Sequence, residues 1–426
     1  MQVKIEKLVY GGEGLAHAEG RTLFVPFVLP DEVAEVRLTE QKKKFARGRV
    51  ESLLEASPAR VAAPCPHFTS CGGCHYQHIP YDAQLKFKEM ILRESLQRLG
   101  RVEWTGPIAL HASPPFGYRN RAQWKVRRAE DGENPAIGYF EAGSSALCAV
   151  EECAVLSPRL AETLTGLRGL LGRGLLGALV EVEAFADAED QQMLLTASFS
   201  SLEGAAPESV AAILREALPW IESILLHDGS RDRFELMGPG FLKYRAADAA
   251  YRVGHLSFFQ VNRFLLAKLV DEVTKDARGK LAIDLFAGVG LFSLRLMRQF
   301  ARVIAVEGNP AAARDLGENL RTVLAGVSVG AAEGVNQEAE AFLTRHRESP
   351  DLLVLDPPRA GLSPQLARQA LTLAPLEIRY LSCDPATLAR DLGALAPRYE
   401  LTEVSLFDLF PQTYHLESLV RLKRRE

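Results

Sequence analysis

No stretch of this chain is both apolar and long enough to span a bilayer, and its opening residues, MQVKIEKLVYGGEG, lack the apolar core of a secretion signal. A cytoplasmic location with no membrane partner is expected. A large excess of charge of one sign is also missing. The 50 Lys and Arg against 54 Asp and Glu leave a formal net charge of -4, which excludes a wholly basic nucleic-acid binder but not local basic patches. No heptad or internal repeat announces self-association, so a monomer is expected. The 6 cysteines are laid out unlike a disulfide framework: Cys65, Cys71 and Cys74 are packed together, Cys148 and Cys153 form a pair, and Cys383 stands alone. At 426 residues the chain has room for two or three domains.

The stretch from Leu281 to Leu294, LAIDLFAGVGLFSL, reads as a buried strand running into a glycine turn and then a helix, with Gly288 and Gly290 allowing the backbone to approach a ligand closely. Downstream, Ala301 to Glu307 reads as a second strand ending in an acid, the position that commonly grips ribose hydroxyls. No lysine follows the glycines as a P-loop requires, and Ser293 stands where the third glycine of a dinucleotide fingerprint would be. The pattern therefore suits a nucleoside without pyrophosphate. D-L-F-A-G-V-G followed by V-E-G-N resembles the S-adenosylmethionine motif of class I methyltransferases.

Upstream, residues 1 to 58 alternate short β-branched runs with turns, which suggests a small β-barrel. Its last hairpin sets Lys42, Lys43, Lys44, Arg47 and Arg49 around Phe45, the cation and aromatic mixture of single-stranded nucleic-acid surfaces; a solvated charged loop is the plainer alternative. The run G-G-E-G-L-A through V-P-F-V-L-P-D-E-V to A-R-G-R-V resembles a TRAM domain, an OB-like barrel appended to RNA-modifying enzymes. Next, Cys65, Cys71 and Cys74 have five and two residues between them, close enough to converge on one metal centre. Zinc sites and iron-sulfur clusters take four such ligands. Cys153 is the better fourth and Cys148 its competitor, while spacing alone does not separate zinc from iron. Leu85, Leu92, Leu96 and Leu99 predict an amphipathic helix over 81–100, with Gly100 as its C-cap. In Y-R-N-R-A-Q-W-K-V, alternation puts Arg119, Arg121, Gln123 and Lys125 on one face, either for RNA or as an ordinary amphipathic strand. Residues 150 to 250 mix leucine-rich helical segments with strands and carry no interpretable motif.

Three further segments carry chemistry. DLLVLD, from Asp351 to Asp356, forms a strand broken by Pro357 and Pro358, and strand ends of this kind line a ligand crevice. D-P-P resembles the amino-methyltransferase motif, but Arg359 stands where an aromatic stacking residue belongs. Cys383 ends the next strand, and Asp384-Pro385 suits an N-cap and first helical position, which would place the thiol near a helix N-terminus and lower its pKa against the opposing Asp384 charge. A buried structural cysteine is the alternative. Finally, His415 and Glu417 read as one face of an apolar last strand, where Glu417 would be either a base or a salt-bridge partner.

Taken together, D-L-F-A-G-V-G, D-P-P-R-A-G, S-C-D-P-A-T-L-A-R-D-L and H-L-E-S-L-V resemble the RNA 5-methyluridine methyltransferases over nearly the whole chain. The resemblance implies an α/β architecture: a barrel over 1–58, a central α+β domain over 59–250 whose helix 81–100 packs on the catalytic domain, and a Rossmann-like methyltransferase domain over 251–426. It implies S-adenosylmethionine held by Gln260, Phe286, Gly288, Glu307 and Asp356, with Glu333 a weaker addition. It favours a [4Fe-4S] cluster on Cys65, Cys71, Cys74 and Cys153 over zinc. It also implies methyl transfer to C5 of a uridine in RNA, with Cys383 attacking C6 and Glu417 removing the C5 proton; ribosomal RNA is favoured and transfer RNA is the alternative. Leu291, where asparagine is common, and Cys148, in place of a frequent histidine, depart from the pattern. An inactive cofactor-binding RNA binder and a cytosine-C5 or small-molecule methyltransferase are the competing classes.

Overall fold

The run predicted to cradle a nucleoside forms the strand Gly279–Leu285, buried from Leu281 onward because its sheet is covered on both faces. The structure is a computed structural model and describes residues 1–127, 135–204, 206–326 and 330–426. Eight strands make the sheet, in the order Ala331–Asn336, Phe300–Glu307, Gly279–Leu285, Leu352–Leu355, Glu377–Ser382, Glu417–Arg424, Tyr399–Phe407 and Ile108–His111. The first five run parallel, and Glu417–Arg424 is antiparallel to both neighbours. The amino end of Glu417–Arg424 therefore shares an edge with the carboxyl ends of the parallel strands. From Gly279–Leu285 the chain adds strands outward on one side and, from Leu352–Leu355, on the other, so the switch-point crevice of an open α/β sheet falls between these two parallel strands.

Two pieces of this body come from far upstream. Ile108–His111 adds the outermost strand, parallel to Tyr399–Phe407. The helix Tyr81–Gly100 lies against Pro385–Leu395 so closely that a Cβ on Gly100 would meet the Ala389 carbonyl oxygen at 2.5 Å. That contact, rather than a cap, accounts for the glycine; the left-handed capping residue is Arg101, at φ 53°. The buried face is also shifted from the leucine stripe. It holds Gln84, Lys88, Ile91, Leu92 and Leu96, while Leu99 is exposed.

Lys88 and Asp408 are both fully inaccessible and lie 2.6 Å apart, with the Lys88 ammonium also donating to the Phe410 carbonyl. One turn earlier, the Gln84 amide donates to the carbonyls of Tyr76 and Ile79 and to Gln412 Oε1, and its own oxygen accepts from the Gln412 amide. His75 and Tyr76 both donate their backbone N–H to the Gln412 carbonyl. The turn before the last strand is thus held by the helix and by the cysteine-rich segment together.

The first residues form a six-stranded barrel-like sheet, and the middle of the chain a seven-stranded sheet flanked by Pro158–Gly172 and Pro207–Ala217. In that second sheet Arg121–Arg127 alternates as expected, but Trp124 and the neighbouring Tyr118 are wholly buried and hydrogen-bonded, to Tyr139 and to the Pro411 carbonyl. Arg121 and Lys125 pair with Glu183 and Glu181 on the adjacent strand. The aromatics of this strand are therefore core, and two of its cations are already neutralised. By contrast, Lys43 and Lys44 on the barrel hairpin are exposed and form no ion pair among the described residues.

Removing one partner of a buried pair strands the other charge, at a cost of about 3–5 kcal/mol. Lys88→Ala is expected to lower the urea midpoint of unfolding markedly, while Lys88→Met combined with Asp408→Leu recovers most of the loss. Equal midpoints for the single and double variants would show that the pair does not hold this junction.

Candidate active site and thiol-lined cavity

Because of the strand directions, Phe286, Glu307, Asp356, Cys383 and Glu417 all emerge at one edge of the large sheet. Ser382 pairs with Ser418 across antiparallel strands, so Cys383 and Glu417 are next in register. Phe286 turns the chain with a left-handed φ of 63°, an arrangement that strains a bulky residue by about 1–3 kcal/mol. The helix expected after the glycines is one short turn, Ser293–Leu296, whose Ser293 hydroxyl binds Asp284.

Glu307 accepts from the backbone N–H of Gly288 at 2.7 Å and of Asn309 at 2.6 Å, which fixes its carboxylate against the glycine turn. Asp284, which sequence reasoning did not single out as a site residue, is fully buried, and its second oxygen has no partner among the described residues. Burial and the Glu307 charge push its pKa up to about 7. Asp356 is likewise raised to about 7 by burial and by Asp284 and Glu307. Gln260 is buried in the loop ahead of Leu266–Thr274, and its amide has no partner among the described residues. The buried carboxyls Asp284 and Asp356 have no cation beside them, and an orphaned oxygen and a free amide lack partners among the described residues. A cationic nucleoside with hydroxyl groups fits that set. Glu333 is exposed, on the edge strand of the same sheet.

The chemical end differs from expectation in two respects. Burial raises the Cys383 thiol to about 11; Glu417 and Asp356 add to the rise and Arg359 opposes it. The helix N-terminus expected to lower it is already satisfied, because the Asp384 carboxylate accepts from Ala386 and Thr387 at 2.9 Å each. Second, the last strand begins at Glu417, so His415 lies in the preceding turn and contacts the Arg359 guanidinium at 3.2 Å. Glu417 itself is buried and forms no ion pair among the described residues. Burial, then the Asp356 charge, hold its pKa well above the carboxylate range.

A second feature lies between the cysteine-rich segment and the central sheet. Cys65, Cys71, Cys74 and Cys153 line a cavity of about 470 Å³, and Cys148 does not, being buried in the strand Leu147–Ala149 beside Cys71. Among the described residues no three His, Cys, Asp or Glu side chains converge on a single-ion site. The four thiols surround a space instead of meeting at a point.

A doubly wound sheet with an acidic nucleoside crevice at its switch point defines a class I methyltransferase. The family model for tRNA (uracil-5-)-methyltransferase matches residues 239–425, and the TRAM domain model matches residues 1–50. An uncharacterized RNA methyltransferase of Aquifex aeolicus is 33% identical over 100% of this chain and 99% of its own. The 23S rRNA (uracil(1939)-C(5))-methyltransferase of Salmonella typhimurium is 35% identical over 99% of this chain and 96% of its own. The tRNA (uracil-54, C5)-methyltransferase of Pyrococcus abyssi, solved with S-adenosyl-L-homocysteine, superposes with a TM-score of 0.76 at 26% identity, covering 99% of this chain and 100% of that one. The chain belongs to the S-adenosylmethionine-dependent RNA uracil-C5 methyltransferase family.

No helix among the described residues is long and apolar enough to cross a membrane. Tyr10, His75 and Tyr414, which sequence reasoning did not single out, border the Cys383 end of the site.

Carboxyls with pKa near 7 lose protons when a cation arrives beside them, so binding and deprotonation favour each other. The dissociation constant for S-adenosylmethionine is expected to fall as pH rises from about 6 to about 8, with proton release seen by calorimetry in buffers of different ionisation heat. S-adenosylhomocysteine, lacking the sulfonium charge, should depend on pH more weakly. Identical pH profiles for the two ligands would remove the carboxyls from this role.

Proposed function

We propose that this protein methylates C5 of a specific uridine in 23S ribosomal RNA. The observation that carries it is the register of Cys383 beside Glu417 at the mouth of the acidic crevice. The full-length similarity to ribosomal RNA enzymes favours that substrate over transfer RNA.

The roles follow from the arrangement. Bound S-adenosylmethionine supplies an electrophilic methyl group on a sulfonium. Gln260, Phe286, Gly288, Glu307 and Asp356 bind and orient it, Glu307 toward ribose hydroxyls and Asp356 at the reacting end. Uracil C5 is a poor nucleophile, so the Cys383 sulfur adds to C6 and drives electrons toward C5. Arg359 favours the thiolate against the surrounding carboxyls. After transfer, Glu417 takes the C5 proton and the sulfur departs from C6. Burial and the Asp356 charge favour the protonated form of Glu417 in the free protein, and positive charge entering the pocket favours the carboxylate that acts as base. A paired uridine cannot reach this edge, so the target is in a loop or is extruded. Exposed Lys43, Lys44 and Arg49 on the barrel supply phosphate contacts.

Cys65, Cys71, Cys74 and Cys153 would hold a [4Fe-4S] cluster, a reading supported by four thiols lining one cavity of about 470 Å³. The cluster would tie the central sheet to the segment that carries His75 and Tyr76. Domain divisions at about residues 58 and 250 separate the six-, seven- and eight-stranded sheets, with Tyr81–Gly100, Ile108–His111 and the first strand of the hairpin Phe241–Gly254 lent to the catalytic body. A monomer in the cytoplasm completes the reading.

Incubation with 5-fluorouridine-substituted 23S RNA and cofactor should yield a covalent protein–RNA adduct on a denaturing gel, absent for Cys383→Ala. Glu417→Gln should accumulate the methylated adduct even on ordinary RNA. Adducts formed equally well by Cys383→Ala would end this mechanism.

Anaerobically purified protein should contain iron and sulfide in equal amounts. Cys153→Ser should lose both and Cys148→Ser should keep them; the reverse pattern would make Cys148 the fourth ligand, and zinc without sulfide would replace the cluster.

A further inference from the structure

The barrel's part in the reading above is to hold RNA, yet its loop from Val9 to Gly12 reaches the nucleophile. The Tyr10 hydroxyl donates to the Cys383 carbonyl at 3.3 Å. The Tyr10 ring meets Tyr414 edge-on, with centroids 5.4 Å apart and planes at 89°. Tyr414 in turn contacts His75 at 4.6 Å and His415 at 4.3 Å, and His415 touches Arg359. The barrel, the cysteine-rich segment and the catalytic body each contribute a ring to this belt.

The loop is seated rather than resting there by chance. Gly12 has a φ of 85°, and a Cβ on it would come within 3.1 Å of His75 Cβ and 3.2 Å of Tyr414 Cδ1. Leu8 and Leu29 of the barrel belong to the same apolar cluster as Leu92, Leu96 and Leu388, and Lys7 pairs with Glu94 of the helix Tyr81–Gly100 at 2.5 Å. Every close approach holds Tyr10 in place over a site it does not belong to in sequence.

The Cys383 carbonyl belongs to the peptide that joins the end of the strand Glu377–Ser382 to the helix Pro385–Leu395. Fixing that carbonyl fixes the peptide plane, and with it the direction in which the Cα–Cβ bond that carries the thiol leaves the backbone. Covalent attack on C6 depends on that direction more than binding does. We propose that Tyr10 is a positioning residue for Cys383, so that the N-terminal barrel is a working part of the catalytic centre as well as an RNA surface. The inference rests on Cys383 being the nucleophile.

Tyr10→Phe keeps the ring against Tyr414 and removes the hydroxyl. With saturating cofactor, this variant should form the 5-fluorouridine adduct and turn over ordinary RNA about 10-fold more slowly, with KM for RNA and the dissociation constant for S-adenosylhomocysteine unchanged. Gly12→Ala, which displaces the loop without touching the hydroxyl, should lower kcat in the same way, with its fold checked by an unaltered dissociation constant for S-adenosylhomocysteine. A wild-type kcat for Tyr10→Phe would overturn the proposal, and so would a defect confined to the KM for RNA, which would make Tyr10 an RNA contact. Wild-type protein that forms no adduct at all would strike the assignment of Cys383 first and Tyr10 with it, a result distinct from either of the others.

Discussion

The turn from Asp408 to His415 is the constraint on which the rest of the structure depends. It precedes the base candidate Glu417, and beyond the local bonds that Thr413 makes to Phe410 and His415 it is held by residues distant in sequence. Lys88 grips its start through a wholly buried ion pair, Gln84 and the backbone of His75 and Tyr76 grip Gln412, and Tyr118 and Asn262 bind the carbonyls of Pro411 and Leu409. Gln412 accepts a left-handed φ of 67° to satisfy these partners. A buried ion pair contributes little net stability against an apolar substitute, but it tolerates few other arrangements. Here its value is registry: it sets which residue of the turn faces the sheet edge, and so where Glu417 begins its strand.

The same economy of charge governs the crevice. Asp284, Glu307, Asp356 and Glu417 lie together, with Arg359 opposing the rise only at Glu417, and burial drives Asp284, Asp356 and Glu417 toward the neutral form. Such a pocket is unfavourable by itself and favourable around a cation, so stability withheld from the free protein returns as cofactor affinity. Two backbone N–H groups hold the Glu307 carboxylate in place against the glycine turn.

What could be read from the sequence was what local pattern determines. The strands around Asp284, Glu307 and Asp356 stand where apolar runs and terminal acids put them, within a residue or two. The helix Tyr81–Gly100 was legible in length but not in face, because Gln84 and Lys88 are buried against partners more than 300 positions away and periodicity counts them as solvent-facing. Tyr118 and Trp124 misled for the converse reason: aromatics between cations look like a stacking surface, and only the adjacent strand with Glu181 and Glu183 shows that the cations are paired and the rings are core. Tyr10 left no signal, since its bond to Cys383 spans 373 residues. Ile108–His111 is too short and too ordinary to announce that it completes a distant sheet.

The state of Cys383 shows why the expected activation by a helix terminus was the wrong device. A thiol opposite an uncapped N-terminus would be ionised continuously and open to any electrophile or oxidant. Asp384 instead spends its carboxylate on the first N–H groups of its helix, worth about 1 kcal/mol of helix stability, and cancels the dipole that would ionise its neighbour. Nearby carboxyls push the thiol further toward the neutral form. The thiol proposed as nucleophile is therefore held toward the neutral form until the balance of charge around it changes: each positive charge that settles beside Asp356 and Glu417 weakens the repulsion that keeps the proton on sulfur. Reactivity is conditional on a filled site, which follows from placing the cysteine among acids and not among cations.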